Sequence, residues 1–225
     1  SLGSHIIISG NLINNGNAPL FFSSDSSTVE LKGSMLQLIG GTDSLNFYRL
    51  VIDNITDSLQ MQKNISVLDS LTLLNGKLDL NGYEINLVNS GYLVGESNDS
   101  YIFGDSGRIK INLNLPPGGF SKNIGGLGAT FTTSKNFGNT TFIRGHKEQG
   151  AADTSIFRYY DIQPSFTDSV EQFSFAYLNH ELNEVGKSRL QLYSSKDQGA
   201  TWGLVNGVND SSNNAFSQQN VELPA

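Results

Sequence analysis

Residues 59–87 read LQMQKNISVLDSLTLLNGKLDLNGYEINL. Apolar residues stand two apart in short bursts: Leu59 and Met61, Ile65 and Val67, Leu71 and Leu73, Leu78 and Leu80, Ile85 and Leu87. A spacing of two places both members on one face of a strand. Asn75-Gly76 and Asn81-Gly82 separate the bursts with residues suited to tight turns. A strand recurs about every 6–8 residues. The same pattern extends outward through Ile6-Ile8, Val29-Leu31, Leu36-Leu38, Leu50-Ile52 and Ile109-Ile111-Leu113. Its turns are Asn15-Gly16, Gly40-Gly41, Ser90-Gly91 and Asp105-Ser106-Gly107.

Two architectures accept such strands. One is a meander of hairpins, which favours Asn-Gly turns. The other is a parallel β-solenoid, whose short strands coil into rungs stacked about 4.8 Å apart. Strands of 3–5 residues, an aliphatic inward set and recurrent corner Asn favour the solenoid. A rung of three strands takes roughly 20–24 residues, which gives about four or five rungs. The expected fold is therefore all-β, with a parallel β-helix over 1–115. Pro116-Pro117-Gly118-Gly119 ends the pattern, since two prolines cannot donate to a ladder, and a Gly/Pro-rich connection covers 116–129.

From 130 to 225 the strands lengthen and aromatics concentrate. Expected strands are 140–144, 156–162, 171–177 and 189–194, and their spacing suggests a β-sandwich-like module. The only helix-compatible piece, Leu178–Val185, is too short to matter. The end at Val221-Glu222-Leu223-Pro224-Ala225 falls mid-domain, so a truncated piece of a longer polypeptide is expected.

Composition narrows the function classes. The chain has 225 residues, no cysteine, a net charge of −7 and only 16% charged residues. The absence of cysteine excludes disulfides, thiolate catalysis and zinc–cysteine sites. A weakly acidic chain argues against nucleic acid, and no run of 18 apolar residues exists to insert in a membrane. Gly125-Gly126-Leu127-Gly128 lacks the Lys-Ser/Thr of a phosphate-binding loop.

Val29–Gly33, Gln37–Gly41, Phe47–Asn54 and Leu71–Tyr83 each resemble a rung unit of the right-handed β-helix stalks in large secreted surface proteins of Bacteroidetes. Gly125–Gly128, Gly138–Thr141, Arg144-Gly145-His146, Arg158–Ile162 and Tyr177–Asn183 resemble the module that follows the stalk. The resemblance implies an adhesin-like, cell-surface or extracellular cargo of type IX secretion. The export signal and sorting domain of such parents are absent here, which fits an excised piece.

Candidate chemistry is sparse. Ser195-Lys196-Asp197-Gln198-Gly199-Ala200-Thr201-Trp202 fits the S-x-D-x-G-x-x-W Asp-box of sialidases. Physically it reads as a structural hairpin turn made by Ser195, Asp197, Gly199 and Trp202, with Asp197 capping backbone N–H groups, Gly199 at positive φ and Trp202 packed beneath. It occurs once, whereas a propeller needs it several times. The acids Asp53, Asp57, Asp69, Asp79 and Glu84 read as solvated turn residues, although Asp79 and Glu84 could approach across a corner for hydrolysis. His5, His146 and His180 show no metal spacing. Asp99, Asp105 and Asp210 lie in acidic turns but lack a calcium-site repeat. Neither a metal nor a cofactor is expected.

Asp43-Ser44-Leu45, Asp57-Ser58-Leu59, Asp69-Ser70-Leu71 and Asp168-Ser169-Val170 resemble the Bacteroidetes O-glycosylation acceptor, which would use Ser44, Ser58, Ser70 and Ser169. A turn Asp-Ser before a strand is the plainer reading. The leading functional expectation is non-enzymatic: a rigid stalk and display module that meets surface glycans or other cell-surface proteins. A second reading is carbohydrate binding through Trp202, Tyr159 and Tyr193, and a third is a polysaccharide-degrading enzyme.

Overall fold

A computed structural model describes residues 3–16, 20–22, 26–118, 120–149, 155–182 and 186–223. Gly119, Asn183, Val185, Pro224 and Ala225, named above, lie outside the described residues, as does the Asp57 side chain. The chain forms two compact units, residues 1–111 and 112–225.

The first unit is a β-solenoid of about four turns. Its strands are β1 (His5–Ile8), β2 (Leu12–Asn14), β3 (Leu20–Phe22), β4 (Thr28–Gly33), β5 (Gln37–Gly41), β6 (Leu45–Met61), β7 (Ile65–Asp79), β8 (Glu84–Asn86), β9 (Tyr92–Val94) and β10 (Ile102–Phe103). The unit ends in the first half of β11 (Arg108–Leu115). Every strand pairing described for this unit is parallel, which removes the hairpin meander.

Each turn presents three strand stretches, and each stretch stacks on its counterpart one turn later. Face A runs His5, Thr28, Arg49, Ser70, Tyr92, with offsets of 28 − 5 = 23, 49 − 28 = 21, 70 − 49 = 21 and 92 − 70 = 22 residues. Face B runs Gln37, Leu59, Leu78, Ile102. Face C runs Leu20, Leu45, Ile65, Ile85, Ile109.

The period of two decides what is buried. Val29, Leu50 and Leu71 stack fully buried on face A, as do Leu31, Ile52 and Leu73 beside them. Leu45, Ile65, Ile85 and Ile109 do the same on face C. Each such burial contributes about 1.5–3 kcal/mol. Corner side chains then tie turn to turn. Asn11 Oδ1 accepts from Leu38 N (2.9 Å), Asn64 Oδ1 accepts from Glu84 N (2.9 Å), and Asn81 Nδ2 donates to Met61 O (2.9 Å). These bonds satisfy backbone groups that a corner would otherwise leave unpaired.

The expectation of strands only 3–5 residues long fails in the middle turns, where β6 has 17 residues and β7 has 15. The corners there are turned by irregularities inside a continuous ladder. Register shifts fall at Phe47/Arg49, Ile52/Asp53 and Asp53/Ser58. Some extra residues turn outward, leaving Ile55 and Leu74 exposed, whereas Asn54 is buried and donates to Met35 O (2.6 Å).

The second unit is also β-structured, but its pairings are antiparallel. Five strands form one sheet: β12 (Phe120–Asn123), β13 (Ala129–Thr133), β16 (Asp168–Ala176), β20 (Ala215–Leu223) and β19 (Val208–Asp210). Strand β14 (Gly138–Gly145) pairs with β15 (Tyr159–Gln163), and β17 (Leu192–Ser194) pairs with β18 (Gly203–Val205). Phe131 meets Phe137 and Phe142 edge-on at 5.4 and 5.6 Å, and Phe175 stacks on Phe216 at 5.5 Å.

Two expected strands are shorter than their alternation suggests. β15 begins only at Tyr159, because its antiparallel partner β14 ends at Gly145, the residue opposite Tyr159. β17 begins only at Leu192, because residues 187–189 form a 3₁₀ turn. A second 3₁₀ turn covers Asn179–Leu182.

Candidate functional site

The Asp-box segment is the turn between β17 and β18. Ser195 Oγ accepts from Gly199 N (2.8 Å) and donates to Asp197 Oδ1 (2.8 Å). Asp197 accepts from Thr201 N (2.8 Å) and Thr201 Oγ1 (2.6 Å). These bonds, the Thr201 hydroxyl first, hold the Asp197 carboxyl at about 2, below the usual carboxylate range. Gly199 has φ 87°, which a side chain would strain. Trp202 Nε1 donates to Gly199 O (3.0 Å), so the half-buried indole folds back over its own turn.

The aromatic candidates separate. Tyr193 is 48% exposed and lies directly opposite Leu204, 57% exposed. Leu192 and Val205, on the other face of that hairpin, are half-buried, and Leu192 packs on the cluster of Ile156, Tyr177 and Phe216. The hairpin thus has one anchored face and one exposed apolar face. Tyr159 plays another part. A Cβ at Gly145 would stand 2.0 Å from the Tyr159 ring, so the ring lies flat on the glycine opposite it in β14.

The solenoid acids take structural partners. Asp53 bonds Lys32 Nζ (2.6 Å) and Asn75 Nδ2 (2.7 Å), which lower its pKa, Lys32 first. Asp69 pairs with Arg49 Nε at 2.7 Å, and Asp79 accepts from Gln60 (2.9 Å) and from Asn81 N (2.8 Å). Glu84 is held by Arg108 (2.7 Å) and Lys110 (2.6 Å). No group of three or more His, Asp or Glu is arranged for a metal among the described residues. His5 bonds Glu30 at 2.9 Å, and His146 is buried. Asp210 accepts from Ser212, Asn213 Nδ2 and Asn213 N within its own turn.

Each Asp-Ser triplet is followed by a buried apolar residue: Leu45, Leu59, Leu71 and Val170. Alternation therefore turns the serines outward. Ser44 and Ser169 are exposed, and Ser58 and Ser70 are half-buried. Asp69 shows why Asp precedes Ser70, since it serves Arg49 across the turn and also accepts from the Ser70 hydroxyl (3.3 Å).

The most concentrated chemistry is a buried ionic cluster that the sequence reading did not assemble. Arg158 Nε and Nη2 both reach Glu181 Oε1, at 2.9 and 2.8 Å, with side chains 2% and 1% exposed. Arg158 Nη1 also donates to Ala176 O (2.9 Å). The other oxygen, Glu181 Oε2, accepts from Leu178 N (2.8 Å) at the start of the 3₁₀ turn. Leu127 O accepts from Tyr160 Oη (2.8 Å) and from the fully buried Arg144 (3.2 Å). Burial raises the Tyr160 pKa. The Gly125–Gly128 segment, with positive φ at Gly125, Gly126 and Gly128, is the tight turn that aims this carbonyl. A usable signal was present, because Arg144 shares strand parity with the core residue Phe142.

Comparison with protein-family models, curated proteins and solved structures gives no match for this chain.

Proposed function

We propose that the chain is a non-enzymatic structural and adhesive segment of a secreted or cell-surface protein. The solenoid serves as a stiff spacer and the second unit as the displayed module. The observation that carries this reading is the turn-on-turn stacking of Val29, Leu50 and Leu71, reinforced by corner side chains that bond to the neighbouring turn. Such a stack resists bending because every turn shares its backbone bonds with the turns on either side. The resemblance to Bacteroidetes surface proteins supports a right-handed coil, type IX export and sugars on Ser44, Ser58, Ser70 and Ser169. Phe131 against Phe142, and Tyr160 against Phe173, support reading the second unit as sandwich-like.

A second reading, carbohydrate contact, is favoured by the exposed Tyr193–Leu204 pair, an apolar platform of the kind a sugar ring can cover. Beads coated with the full chain, incubated with a polysaccharide and glycan panel, test both readings. The expected result is bead retention with no product released. Retention that Tyr193→Ala abolishes would assign the contact to the hairpin. Turnover of any polysaccharide would overturn the non-enzymatic reading.

A further inference from the structure

The outer face of the β17–β18 hairpin has an apolar centre, a polar rim and no charge. Its register pairs Tyr193 with Leu204, and both are exposed. Gln191 and Ser195 share the parity of Tyr193, and Trp202 and Asn206 share that of Leu204, so all six belong to one face. None of the six is charged. Gln191 Oε1 accepts from Tyr193 Oη (3.2 Å), which fixes the tilt of the ring and leaves the exposed amide Nε2 to donate outward. Trp202 stands two residues from Leu204, about 7 Å along the strand. Its half-buried indole is fixed by the Nε1 bond to Gly199 O. In the adjoining turn Lys196 and Asp197 carry opposite charges that offset each other. On the other face of the hairpin Leu192 packs on Ile156, Tyr177 and Phe216, which holds the platform in place before any ligand arrives.

We propose that this face binds a neutral polysaccharide, and not an acidic one, as two linked pyranose rings laid along the strands. The proposal rests on reading the hairpin as a carbohydrate contact and names the class of sugar that the contact takes. A pyranose has apolar C–H faces and a rim of hydroxyls, the complement of this surface. One ring covers Tyr193 and Leu204 with its C–H face, and the next ring in the chain reaches Trp202. The rim hydroxyls meet the amides of Gln191 and Asn206. A carboxylate or sulfate laid on the same face loses water without meeting a cation there, a cost that a neutral sugar avoids.

Titration calorimetry of the full chain tests this, with hydroxyethyl cellulose and galactomannan as neutral probes and alginate and chondroitin sulfate as acidic ones. The expected result is binding of a neutral probe and of neither acidic one. Tyr193 and Leu204 are exposed, so Tyr193→Ala and Leu204→Ser leave the fold intact, and each is expected to weaken binding about tenfold. Ile55→Ser, at an exposed position of the solenoid, leaves binding unchanged. Binding of an acidic probe that Tyr193→Ala removes overturns the proposal but leaves the carbohydrate contact standing. Binding that both hairpin variants leave unchanged overturns the site. No binding of any probe overturns the proposal and the carbohydrate reading together. So does a two-chain mass in sedimentation without polysaccharide that Tyr193→Ala returns to one chain, since the platform then joins two copies.

Discussion

Leu50 and Leu74 show how far one position decides a residue's worth. Both are leucines in the same three-sided coil, yet Leu50 is fully buried within a stack and Leu74 is 57% exposed on a bulge. Leu50→Ala removes packing inside a close-fitted column and is expected to cost about 2–5 kcal/mol. Leu74→Ala is expected to stay within about 0.5 kcal/mol. Urea unfolding of the two variants compares them directly. Tyr177 presents the opposite case. Its hydroxyl is buried and without a hydrogen-bond partner among the described residues, which carries a desolvation cost. Tyr177→Phe is therefore expected to leave the melting temperature unchanged or raise it, and a clear fall would show that the hydroxyl is bonded.

Asp197 gives a pH dependence with a definite sign. Its folded carboxyl titrates at about 2, below the usual range, because Thr201 and Ser195 bond the ionised form. Its contribution to the hairpin is complete above the usual carboxylate range and is lost as pH falls through about 2. Carboxyl-carbon NMR of Asp197 should show that midpoint, and Thr201→Val should move it upward. A midpoint in the ordinary range in the parent chain would contradict the turn geometry.

Among the elements, the 3₁₀ turn Asn179–Leu182 is held chiefly by chemistry rather than by its own bonds. Glu181 links it to Arg158 and caps the 178 amide, with both charged groups almost wholly buried. Glu181→Gln strands the Arg158 guanidinium, and the expected loss is about 3–5 kcal/mol. Replacing both partners, Arg158→Met with Glu181→Leu, should cost less, and thermal denaturation of the two variants decides it. Equal losses would mean that packing, not charge, holds the turn.

Elements also differ in how readily their sequence can be read. The i, i+2 bursts from Leu59 to Leu87 specify inward and outward sets directly, and each named aliphatic in that stretch is buried. Strand ends are less legible. The 17-residue run of β6 arises because its ladder continues through bulges, which depend on the neighbouring turn and leave no local signal. Arg158 illustrates the same limit in the second unit. Its alternation with Ile156 and Tyr160 reads as strand, but its partner Glu181 is 23 residues away, and only the fold brings them together. The Asp-box hairpin was legible because all its bonds close within eight residues, from Ser195 to Trp202 (202 − 195 + 1 = 8).

At the scale of the whole molecule, the spacer reading depends on coils that stack in parallel in the first unit. The absence of cysteine makes this open to direct chemical test. In a parallel ladder the difference between partners is constant. Val51 opposes Thr72 and Arg49 opposes Ser70, each 21 apart. In an antiparallel ladder the sum is constant, so a sheet pairing Val51 with Thr72 would pair Arg49 with Leu74 (51 + 72 = 49 + 74 = 123). Cysteine pairs at neighbouring outward positions lie within disulfide reach. Oxidation of three double variants, Val51→Cys with Thr72→Cys, Arg49→Cys with Ser70→Cys, and Arg49→Cys with Leu74→Cys, followed by mass spectrometry, separates the two. Disulfides in the first two and free thiols in the third are expected; a bond in the third with none in the second would contradict the stacked coil.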